Sequence, residues 1–415
     1  MKVLIVNTSD IQGGAARAAY RLYKSLLVQG VESQMLVQSK TSDDFRVHAL
    51  ANTKVQKVLS KVIPTIDALP TRFYKTKTKT LFSPSWVGSK TIVDKINELN
   101  PDIVHLHWIN AGFLKIEDIE KIKAPIVWSL HDMWAFTGGC HYDKECGAYE
   151  KECGNCRVLG SHKEKDLSKR VFNRKLKAFK DKENITIVGL SKWLHECAKN
   201  STLLKDKKHV NLPNPIDTAI FKPFDKVKAR ELWSLPQDKK LVLFGAMGAT
   251  SDPRKGFQEL SRALNKLDKI NNIELVVFGN SKPENGPDFG FKVHYLGNLH
   301  DDVSLVTLYS AVDVMVVPSL QENLSNAIME SLSCATQVVA FDIGGNSDMI
   351  EHQINGYLAK PFDSKDLAAG IEWIVSNENY DQLCQNAREK VLKNFDSKVV
   401  AQQYIKLYKE VLDEK

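Results

Sequence analysis

Two carboxylates eight residues apart follow an apolar run in the second half of the chain. Residues 314–317 are typical of a buried strand, and Glu322 and Glu330 come after it in PSLQENLSNAIMESLS (318–333). A helix is predicted to begin near Ser325, which leaves Glu322 in a loop and Glu330 about one turn inside the helix. Amides at a helix start bind phosphate oxygens, and carboxylates accept hydrogen bonds from sugar hydroxyls. The segment therefore predicts a site for a phosphorylated sugar ligand; a surface loop followed by an ordinary helix face is the alternative.

A pair of glycines closes the first apolar run of the chain. Gly13 and Gly14 stand in VNTSDIQGGAARAA, just before a predicted helix. Glycine lets the backbone approach a ligand closely, and the amides of the following helix face a phosphate. The full dinucleotide fingerprint GxGxxG is absent, and many α/β turns contain two glycines. On their own, these glycines indicate only a place where a phosphate can approach.

Polar and aromatic residues follow two more predicted strands, residues 103–106 and 126–130. They are His107, Trp108, His131, Asp132 and Trp134. Ligands of doubly wound sheets bind at the carboxyl ends of the strands, so these side chains are candidates for contacting a sugar. A structural histidine and core-packed tryptophans are the alternatives.

Four of the seven cysteines fall within 17 residues. They are Cys140, Cys146, Cys153 and Cys156. Four thiolates can hold a tetrahedral zinc, and a loop with little core of its own gains order from a metal. Reduced thiols are the rule in the cytosol, which disfavours disulfides. We predict a structural zinc; bare thiols and two labile disulfides are the alternatives.

Apolar runs alternate with helical patterns in both halves of the chain, and this alternation positions the candidate residues. The predicted strands are residues 3–6, 34–37, 103–106, 126–130, 185–190, 241–244, 273–278, 293–296, 314–317 and 337–340. The predicted helices include residues 15–29, 89–99, 116–122 and a last stretch from about 381 to 415. Strands separated by helices form parallel, doubly wound sheets.

Length and a proline-rich break predict two such α/β domains. At 415 residues the chain exceeds the size at which one core keeps growing. Residues 211–224, NLPNPIDTAIFKPF, interrupt the alternation and are predicted to be a linker. The domains would then span residues 1–210 and 225–385.

Positive charge is concentrated in the first half. The net charge is +7, yet residues 1–210 hold 35 Lys and Arg against 22 Asp and Glu, and the remainder is net acidic. Residues 52–82 mix the densest cations with apolar side chains, as segments that bind an anionic membrane surface do; a solvated loop is the alternative. No recognition motif for nucleic acid accompanies the charge.

The hydropathy of the chain indicates in which cellular compartment the protein is expected. No apolar run approaches the roughly 18 residues that a transmembrane helix needs, and no signal-peptide pattern is evident. We expect a cytoplasmic protein, peripheral on the inner face of the membrane.

Taken together, these motifs resemble retaining GT-B glycosyltransferases, glycosyltransferase family 4 in particular. ENLSNAIMESL is similar to the donor-binding E-x7-E motif, Gly13-Gly14 to the N-terminal glycine loop, and DPRKGF (252–257) to the segment that supplies cations to the donor diphosphate. HLHWI (105–109) followed by SLHDMWAFTGGC (129–140) resembles a branch found in capsule, exopolysaccharide and lipopolysaccharide clusters. The resemblance covers essentially the whole chain.

The resemblance implies a fold and a role for each domain. Two facing Rossmann-like domains are expected, with the acceptor bound by residues 1–210, which include the cysteine loop 140–156. The nucleotide sugar would be bound by residues 225–385. A C-terminal helix, residues 386–415, would pack back on the first domain.

The resemblance also implies site residues. Arg254 or Lys255 would neutralise the leaving diphosphate, Glu322 would hold hydroxyls of the donor sugar, and His131 would sit beside the transferred sugar. The implied donor-binding residues are Gly13, Gly14, Asn323, Leu324, Ser325, Asn326 and Glu330, the last of them at the ribose. The implied acceptor-binding residues are His107, Trp108, Asp132 and Trp134. Many relatives carry an Arg where Ala246 stands here, so this cationic role would fall on Arg254.

The expected chemistry needs no cofactor. The chain contains no Asp-x-Asp, so the metal–carboxylate clamp of the other glycosyltransferase fold is not encoded. The resemblance implies a front-face substitution in which the leaving phosphate accepts the proton of a saccharide acceptor, lipid-linked in this branch. UDP- and GDP-sugars both remain open as donors. The alternatives are another GT-B enzyme, such as a sugar-nucleotide 2-epimerase, and a non-catalytic sugar-nucleotide-binding scaffold.

Overall fold

The computed structural model describes residues 1–245, 252–267, 272–279, 290–299 and 301–414, and the chain forms two compact units. Unit 1 comprises Met1–Pro215 with Val400–Lys415, and unit 2 comprises Ile216–Val399. Each unit is built on one parallel sheet, of seven strands in unit 1 and six in unit 2. The prediction of two Rossmann-like α/β domains is confirmed.

Unit 1 has the strand order β3-β2-β1-β4-β5-β6-β7. The strands are β1 (Lys2–Ser9), β2 (Glu32–Ser39), β3 (Val47–Ala49), β4 (Ile103–Leu106), β5 (Ile126–Leu130), β6 (Ile185–Gly189) and β7 (Lys208–Asn211). The α-helices before the linker are α1 (Gly14–Val28), α2 (Lys54–Ala68), α3 (Ile92–Glu98), α4 (Leu167–Lys180) and α5 (Lys192–Lys199). Side chains of β1 alternate between two apolar clusters, with Leu4 and Val6 in one and Val3 and Ile5 in the other, so the sheet is covered on both faces.

Unit 2 has the strand order β10-β9-β8-β11-β12-β13. The strands are β8 (Lys240–Gly245), β9 (Ile273–Phe278), β10 (Val293–Tyr295), β11 (Val314–Val317), β12 (Gln337–Phe341) and β13 (Tyr357–Ala359). The α-helices are α6 (Lys226–Leu232), α7 (Phe257–Leu264), α8 (Asp302–Ala311), α9 (Asn326–Ser333), α10 (Asn346–Met349), α11 (Ser364–Val375) and α12 (Tyr380–Asn394).

The C-terminal stretch predicted as one helix is two helices. Helix α12 ends at Asn394, and the last helix, α13 (Ser397–Asp413), follows after a two-residue break. From Val400 onward the chain belongs to unit 1, where Val400, Tyr404 and Tyr408 are buried in an apolar cluster with strand β1.

Two other segments differ from the sequence analysis. Residues 116–122, predicted to be a helix with an amphipathic pattern, form a 3-10 helix, Ile116–Lys121, that ends before Pro125 and strand β5. Much of the basic stretch 52–82, for which a solvated loop was the alternative, is helical: Thr53 and Gln56 form a capping box that starts helix α2. No helix in the described ranges combines the length and the apolar character that crossing a bilayer requires.

Candidate functional site

In unit 2, the loop after strand β11 brings Glu322 against a lysine. Lys255 Nζ lies 3.2 Å from Glu322 Oε2, and Ser319 Oγ lies 3.5 Å from the same oxygen. The Glu322 side chain is only 14% exposed. A partly desolvated ion pair is thus held at the carboxyl end of a central strand, the edge where sheets of this kind bind ligands.

A glycine explains how the lysine reaches that edge. Gly256 has a φ of +72°, and a Cβ atom at this position would lie 1.7 Å from the carbonyl oxygen of Pro318. The DPRKGF segment therefore packs directly on the residue that follows strand β11. A hydrogen bond of 2.8 Å from the Leu320 amide to the Arg254 carbonyl fixes the same contact.

The two predicted cations are placed differently. Arg254 folds back on Asp252, with Arg254 Nη2 2.7 Å from Asp252 Oδ2 and Nε 3.2 Å from Oδ1. Lys255 is the one that contacts Glu322. Ala246, where many relatives carry an Arg, lies outside the described residues.

The helix predicted to hold phosphate begins as expected at the N-cap Ser325. Asn323, Leu324 and Ser325 are buried just before helix α9. Within the described ranges, Ser325 makes no side-chain capping bond, and the first turn of α9 has no acidic residue. The positive end of the helix dipole is therefore not neutralised by a carboxylate of its own first turn.

Glu330, the predicted ribose contact, lies in the buried part of helix α9. It is 3% exposed, and the Tyr309 hydroxyl donates to its Oε2 over 3.0 Å. Tyr309, in helix α8, was not found from the sequence, because nothing in its spacing links it to the E-x7-E motif. The Tyr309 hydroxyl thus fixes the position of one carboxylate oxygen of Glu330.

In unit 1, the predicted glycine turn forms as expected. Gly13 has a φ of +96° and is the N-cap of helix α1, which begins at Gly14. A Cβ at Gly13 would meet no atom within 4 Å, so the backbone conformation, rather than crowding, favours glycine there.

The residues after strands β4 and β5 come together, because these strands are neighbours and parallel. His107 Nδ1 lies 2.9 Å from His131 Nε2, and Trp108 Nε1 donates to Asp132 Oδ2 over 3.1 Å. His141 Nδ1 lies 2.6 Å from the same Asp132 oxygen. Four of the five polar and aromatic candidates of unit 1 thus form one contiguous group.

His107 and His131 are neutral imidazoles at this edge. Burial lowers the pKa of His107 well below its ordinary value and that of His131 to about 4. Burial opposes the ionisation of Asp132, but the charge and the hydrogen bond of His141 hold the pKa of Asp132 below its ordinary value. The edge therefore carries the Asp132 carboxylate together with two neutral histidines, His107 and His131.

Trp134 packs in the core of unit 1, which is the alternative given above to contact with a sugar. It is 2% exposed, and its indole nitrogen donates to the Ser83 carbonyl over 2.8 Å. Lys175 Nζ lies 3.6 Å from the centre of its ring, and Lys175 itself is fully buried. Trp108 is half-buried, and stacking on a sugar stays a prediction for it.

The predicted zinc ligands lie mostly in the interior of unit 1. Cys140, Cys153 and Cys156 are buried and Cys146 is half-buried. The Cys140 thiol hydrogen-bonds Cys156, which lowers the pKa of Cys156 to about 7. Throughout the described ranges, which include all four thiols, no group of three or more His, Cys, Asp or Glu side chains is placed to hold a metal ion. The structural zinc stays a prediction.

Two residues that orient Asp132 were not found from the sequence. His141 follows the first cysteine of the loop, and its Nε2 lies 2.8 Å from Ser83 Oγ. Ser83 is 49 residues before Asp132 in the chain, so no local pattern connects them.

Two family profiles match this chain. Glycosyltransferase Family 4 matches residues 12–219, and Glycosyl transferases group 1 matches residues 238–377. The phosphatidyl-myo-inositol mannosyltransferase of Mycolicibacterium smegmatis is 24% identical over 399 residues, covering 92% of this chain and 90% of that protein. A putative colanic acid biosynthesis glycosyl transferase of Escherichia coli is 23% identical over 364 residues, covering 82% and 83%.

A solved structure shares the fold. HepE of Anabaena, in complex with UDP-glucose, is similar with a TM-score of 0.65 and 16% identity, and the match covers 100% of both chains. The Rossmann-like units described above are thus those of a GT-B protein.

Proposed function

The chain belongs to Glycosyltransferase Family 4, and from that premise we propose that it moves a sugar from a nucleotide-sugar donor to a saccharide acceptor with retention of configuration. The acceptor is lipid-linked, and the pathway is the synthesis of a surface polysaccharide. The observation that carries the proposal is the Lys255–Glu322 contact at the carboxyl end of strand β11, in front of helix α9.

In the proposed donor site, some groups act through their charge and others through hydrogen bonds to the donor. Lys255 and the amides at the start of helix α9 stabilise the negative charge that develops on the leaving diphosphate. Glu322 accepts hydrogen bonds from hydroxyls of the donor sugar, and its contact with Lys255 fixes the orientation of both groups. Glu330 binds the ribose, with Tyr309 holding one of its oxygens. The leaving phosphate takes the proton of the acceptor hydroxyl.

Similar proteins support the donor and acceptor classes. HepE binds UDP-glucose, the mycobacterial relative is named for mannosyl transfer to phosphatidyl-myo-inositol, and the Escherichia coli relative for colanic acid biosynthesis. A nucleotide sugar and a lipid-linked or polymeric acceptor are therefore the ligands we propose for this chain.

A donor screen followed by a transfer assay tests this function. We expect one series of UDP- or GDP-sugars to raise the melting temperature of the full chain, because a ligand that binds only the folded state stabilises it. The sugar of that donor should pass to a lipid-linked saccharide with its anomeric configuration kept, at a rate that EDTA leaves unchanged.

The same assay separates the alternatives. Isomerisation of the donor in the absence of acceptor would favour an epimerase, and binding without turnover would favour a scaffold. Loss of transfer in EDTA that Mg²⁺ or Mn²⁺ restores would contradict the metal-independent mechanism. Zinc analysis of the purified chain tests the cysteine prediction separately.

The second part of the proposal is that the chain binds a membrane surface through helix α2. Val55, Val58, Leu59 and Val62 share one face at helical spacing, and each is 45–68% exposed. Asp67 is the one side chain of α2 that is fully buried, and Phe73, just beyond the helix, is 88% exposed. An uncovered apolar face of this kind, flanked by cations, suits the interface of an anionic membrane.

Exposed cations lie on helix α2 and in the segment that follows it in the chain. They are Lys54, Lys57, Lys61, Arg72, Lys75, Lys77 and Lys79. Each cation near an anionic surface contributes about 1 kcal/mol at low salt, and this contribution decays within a Debye length. The proposed partner is therefore the anionic lipid of the cytoplasmic membrane face.

Co-sedimentation with anionic vesicles checks the membrane proposal. Replacing Lys75, Lys77 and Lys79 with Gln should weaken binding by about tenfold or more at low salt, and high salt should mimic the change. Replacing Val58 and Phe73 with Ser should weaken binding at every salt concentration, because the apolar term is not screened.

A matched control removes the same charge elsewhere. Lys222, Lys228 and Lys398 are exposed lysines of unit 2, and their replacement with Gln should leave vesicle binding nearly unchanged. Equal losses from both lysine triples, or no binding by the unmodified chain, would leave α2 as an ordinary surface helix.

A further inference from the structure

Trp108, directly after strand β4, is bonded through both its main chain and its ring. Its amide donates to Asn7 Oδ1 over 2.9 Å, and its carbonyl accepts the Thr8 amide over 2.9 Å and the Thr8 hydroxyl over 3.0 Å. Its indole Nε1 donates to Asp132 Oδ2 over 3.1 Å. The main chain is thus tied to strand β1 and the ring to the loop after β5, so both neighbours of strand β4 fix this residue.

Behind the indole, Asp132 is itself fixed by three donors. Asp132 Oδ1 accepts the Trp134 amide over 2.8 Å, and Oδ2 accepts His141 Nδ1 over 2.6 Å in addition to the indole. His141 Nε2 lies 2.8 Å from Ser83 Oγ, and both of these residues are buried. A carboxylate has only acceptors, so the proton between His141 and Asp132 belongs to His141. A continuous chain of hydrogen bonds therefore runs from Ser83 through these two residues to the indole of Trp108.

The carboxylate oxygen that holds Trp108 has no capacity left for a ligand. A carboxylate oxygen has two lone pairs, and those of Asp132 Oδ2 are taken by the indole and by His141. The Asp132 side chain is only 14% exposed, and its other oxygen already accepts an amide. Trp108, by contrast, is half-buried, so part of its ring is open to solvent. The ring, rather than the carboxylate, is therefore what this edge offers a sugar.

Two other tryptophans of unit 1 show how an indole is held when it only packs. Trp128 and Trp134 are each 2% exposed, and their indole nitrogens donate to main-chain carbonyls. Water can satisfy the indole nitrogen of a half-buried ring, so packing alone does not require a desolvated carboxylate and a buried histidine behind Trp108. What these groups add is a fixed ring orientation, which lowers the entropy lost when a ligand binds.

We propose that Trp108 is the platform on which a pyranose ring of the acceptor stacks, and that Asp132 is a positioning residue that acts through the indole of Trp108 instead of binding the sugar. The C–H bonds on one face of a pyranose form an apolar surface, and an indole is the largest flat apolar surface that a side chain presents. His141 and Ser83 hold the carboxylate in place. The identity of the ligand rests on the proposed function, whereas the chain of contacts is a property of unit 1.

The indole N–H signal of Trp108 tests the chain of contacts without any substrate. Spectra of the full chain with ¹⁵N-labelled tryptophan give one ¹H–¹⁵N indole signal for each of the seven tryptophans, and the signal lost in Trp108→Phe is that of Trp108. Asp132→Asn should move this signal and speed its exchange with solvent by about tenfold, because either orientation of the Asn amide gives the indole a weaker acceptor or none. His141→Asn keeps a donor on Asp132 but loses the Ser83 contact; it is the milder variant should Asp132→Asn fail to fold, and it should move the signal in the same direction. A signal that neither variant moves would overturn the proposal.

A titration with simple sugars tests the ligand without relying on transfer. The probes are the methyl pyranosides of glucose, galactose and mannose at millimolar concentrations. We expect at least one of them to shift the indole signal of Trp108. If none of them does, the ring is not a sugar platform and the proposal is overturned. A shift in a chain that shows no transfer would refute the proposed function and support this binding site on its own.

Where transfer is measured, the effect should fall on the KM for the acceptor. Trp108→Ala should raise this KM by about 10²-fold, as the loss of a central aromatic contact does, while kcat and the KM for the donor stay within about threefold. Trp108→Phe keeps a ring but loses the N–H, so its increase should be about tenfold. A general loss of stability of unit 1 would reduce the amount of folded enzyme and would not select the acceptor. A loss of kcat in Trp108→Ala with an unchanged KM for the acceptor would therefore overturn the platform.

A double variant separates positioning from direct binding. Asp132→Asn alone should raise the KM for the acceptor by about tenfold, as Trp108→Phe does, because each variant breaks the same bond. Combined, the two substitutions should raise this KM no further than either one alone. If Asp132 also held a sugar hydroxyl, the two increases would multiply, and that outcome would overturn its role as a positioning residue.

Trp233 in unit 2 is the matched control. It too is half-buried, and its indole nitrogen donates to the Thr307 hydroxyl over 3.1 Å, the same distance as in the Trp108 bond. Trp233→Phe should leave the KM for the acceptor unchanged, and the pyranosides should leave the Trp233 indole signal in place. An equal response at Trp233 would mean that any half-buried tryptophan of the chain responds to sugars, and would overturn the specific role of Trp108.

Discussion

Replacing Glu322 with Gln, or Lys255 with Met, should lower turnover by about 10²–10³-fold, the range found when one preorganised charge contact is removed. Lys255 Nζ lies 3.2 Å from Glu322 Oε2 at the proposed donor site. Gln keeps the shape of Glu but loses the charge that orients the lysine, and Met keeps the length of Lys but loses the ammonium. Steady-state transfer rates at saturating donor measure the loss.

The double variant gives a sharper test than either single one. Because the two groups contact each other, removing the second after the first should cost less than removing it from the unmodified chain. We therefore expect the combined loss to be smaller than the product of the single losses. A simple product would mean that the two residues act independently.

Arg254→Ala is the matched control for cationic charge. Its guanidinium contacts Asp252, so we expect a loss of less than about tenfold, small beside that of a contact made in the transition state. Unchanged melting temperatures would show that all variants remain folded. Near-normal transfer by both Glu322→Gln and Lys255→Met would refute the donor site, and a larger loss in Arg254→Ala would reassign the leaving-group contact.

The strands could be predicted because fully buried parallel strands are continuous apolar runs. Ile103–Leu106 and Val314–Val317 have the predicted bounds, since each is flanked by polar or turn-forming residues. Short edge strands such as Val47–Ala49 and Lys208–Asn211 were missed, because their side chains are partly exposed and mixed in character.

Helix α2 was not predicted because its apolar face points outward. Its apolar residues have helical spacing, but lysines are interleaved with them and Pro64 lies inside the helix. A pattern search that expects the apolar face of a helix to be buried therefore interprets the segment as a loop.

The candidate site could be located from the sequence, but its contacts could not. The ends of neighbouring parallel strands must meet at one edge, which is why His107 and His131 were grouped correctly. The pairing of Lys255 with Glu322 joins residues 67 positions apart, and that of His105 with Tyr408 joins residues 303 apart. Such pairs depend on how segments pack, and local spacing does not encode that.

At the opposite end of strand β11 from the proposed donor site, Asp313→Ala should destabilise unit 2 by about 3–5 kcal/mol, the cost of stranding a buried charge. Asp313 and Arg230 are 4% and 5% exposed, and Arg230 Nη2 lies 2.9 Å from Asp313 Oδ2. The same oxygen accepts the Leu241 amide over 2.7 Å, and Lys226 Nζ lies 2.6 Å from Asp313 Oδ1. One carboxylate therefore neutralises a buried guanidinium and ties strand β8 to the start of β11.

Exchange of backbone amide hydrogens measures the loss of stability of unit 2 in Asp313→Ala. A loss of 3 kcal/mol should speed exchange of the β8 and β11 amides by more than about 100-fold, since 1.4 kcal/mol is a factor of ten. Amides of β1 and β4 in unit 1 serve as the internal reference. Asp301→Ala, which removes an N-cap bond of 2.7 Å to the Ser304 amide at the exposed start of helix α8, is the matched carboxylate control and should cost only about 1 kcal/mol. If Asp313→Ala and Asp301→Ala gave equal losses, Arg230 would have to find another counter-charge, and the carboxylate would not be what fixes β11 against β8.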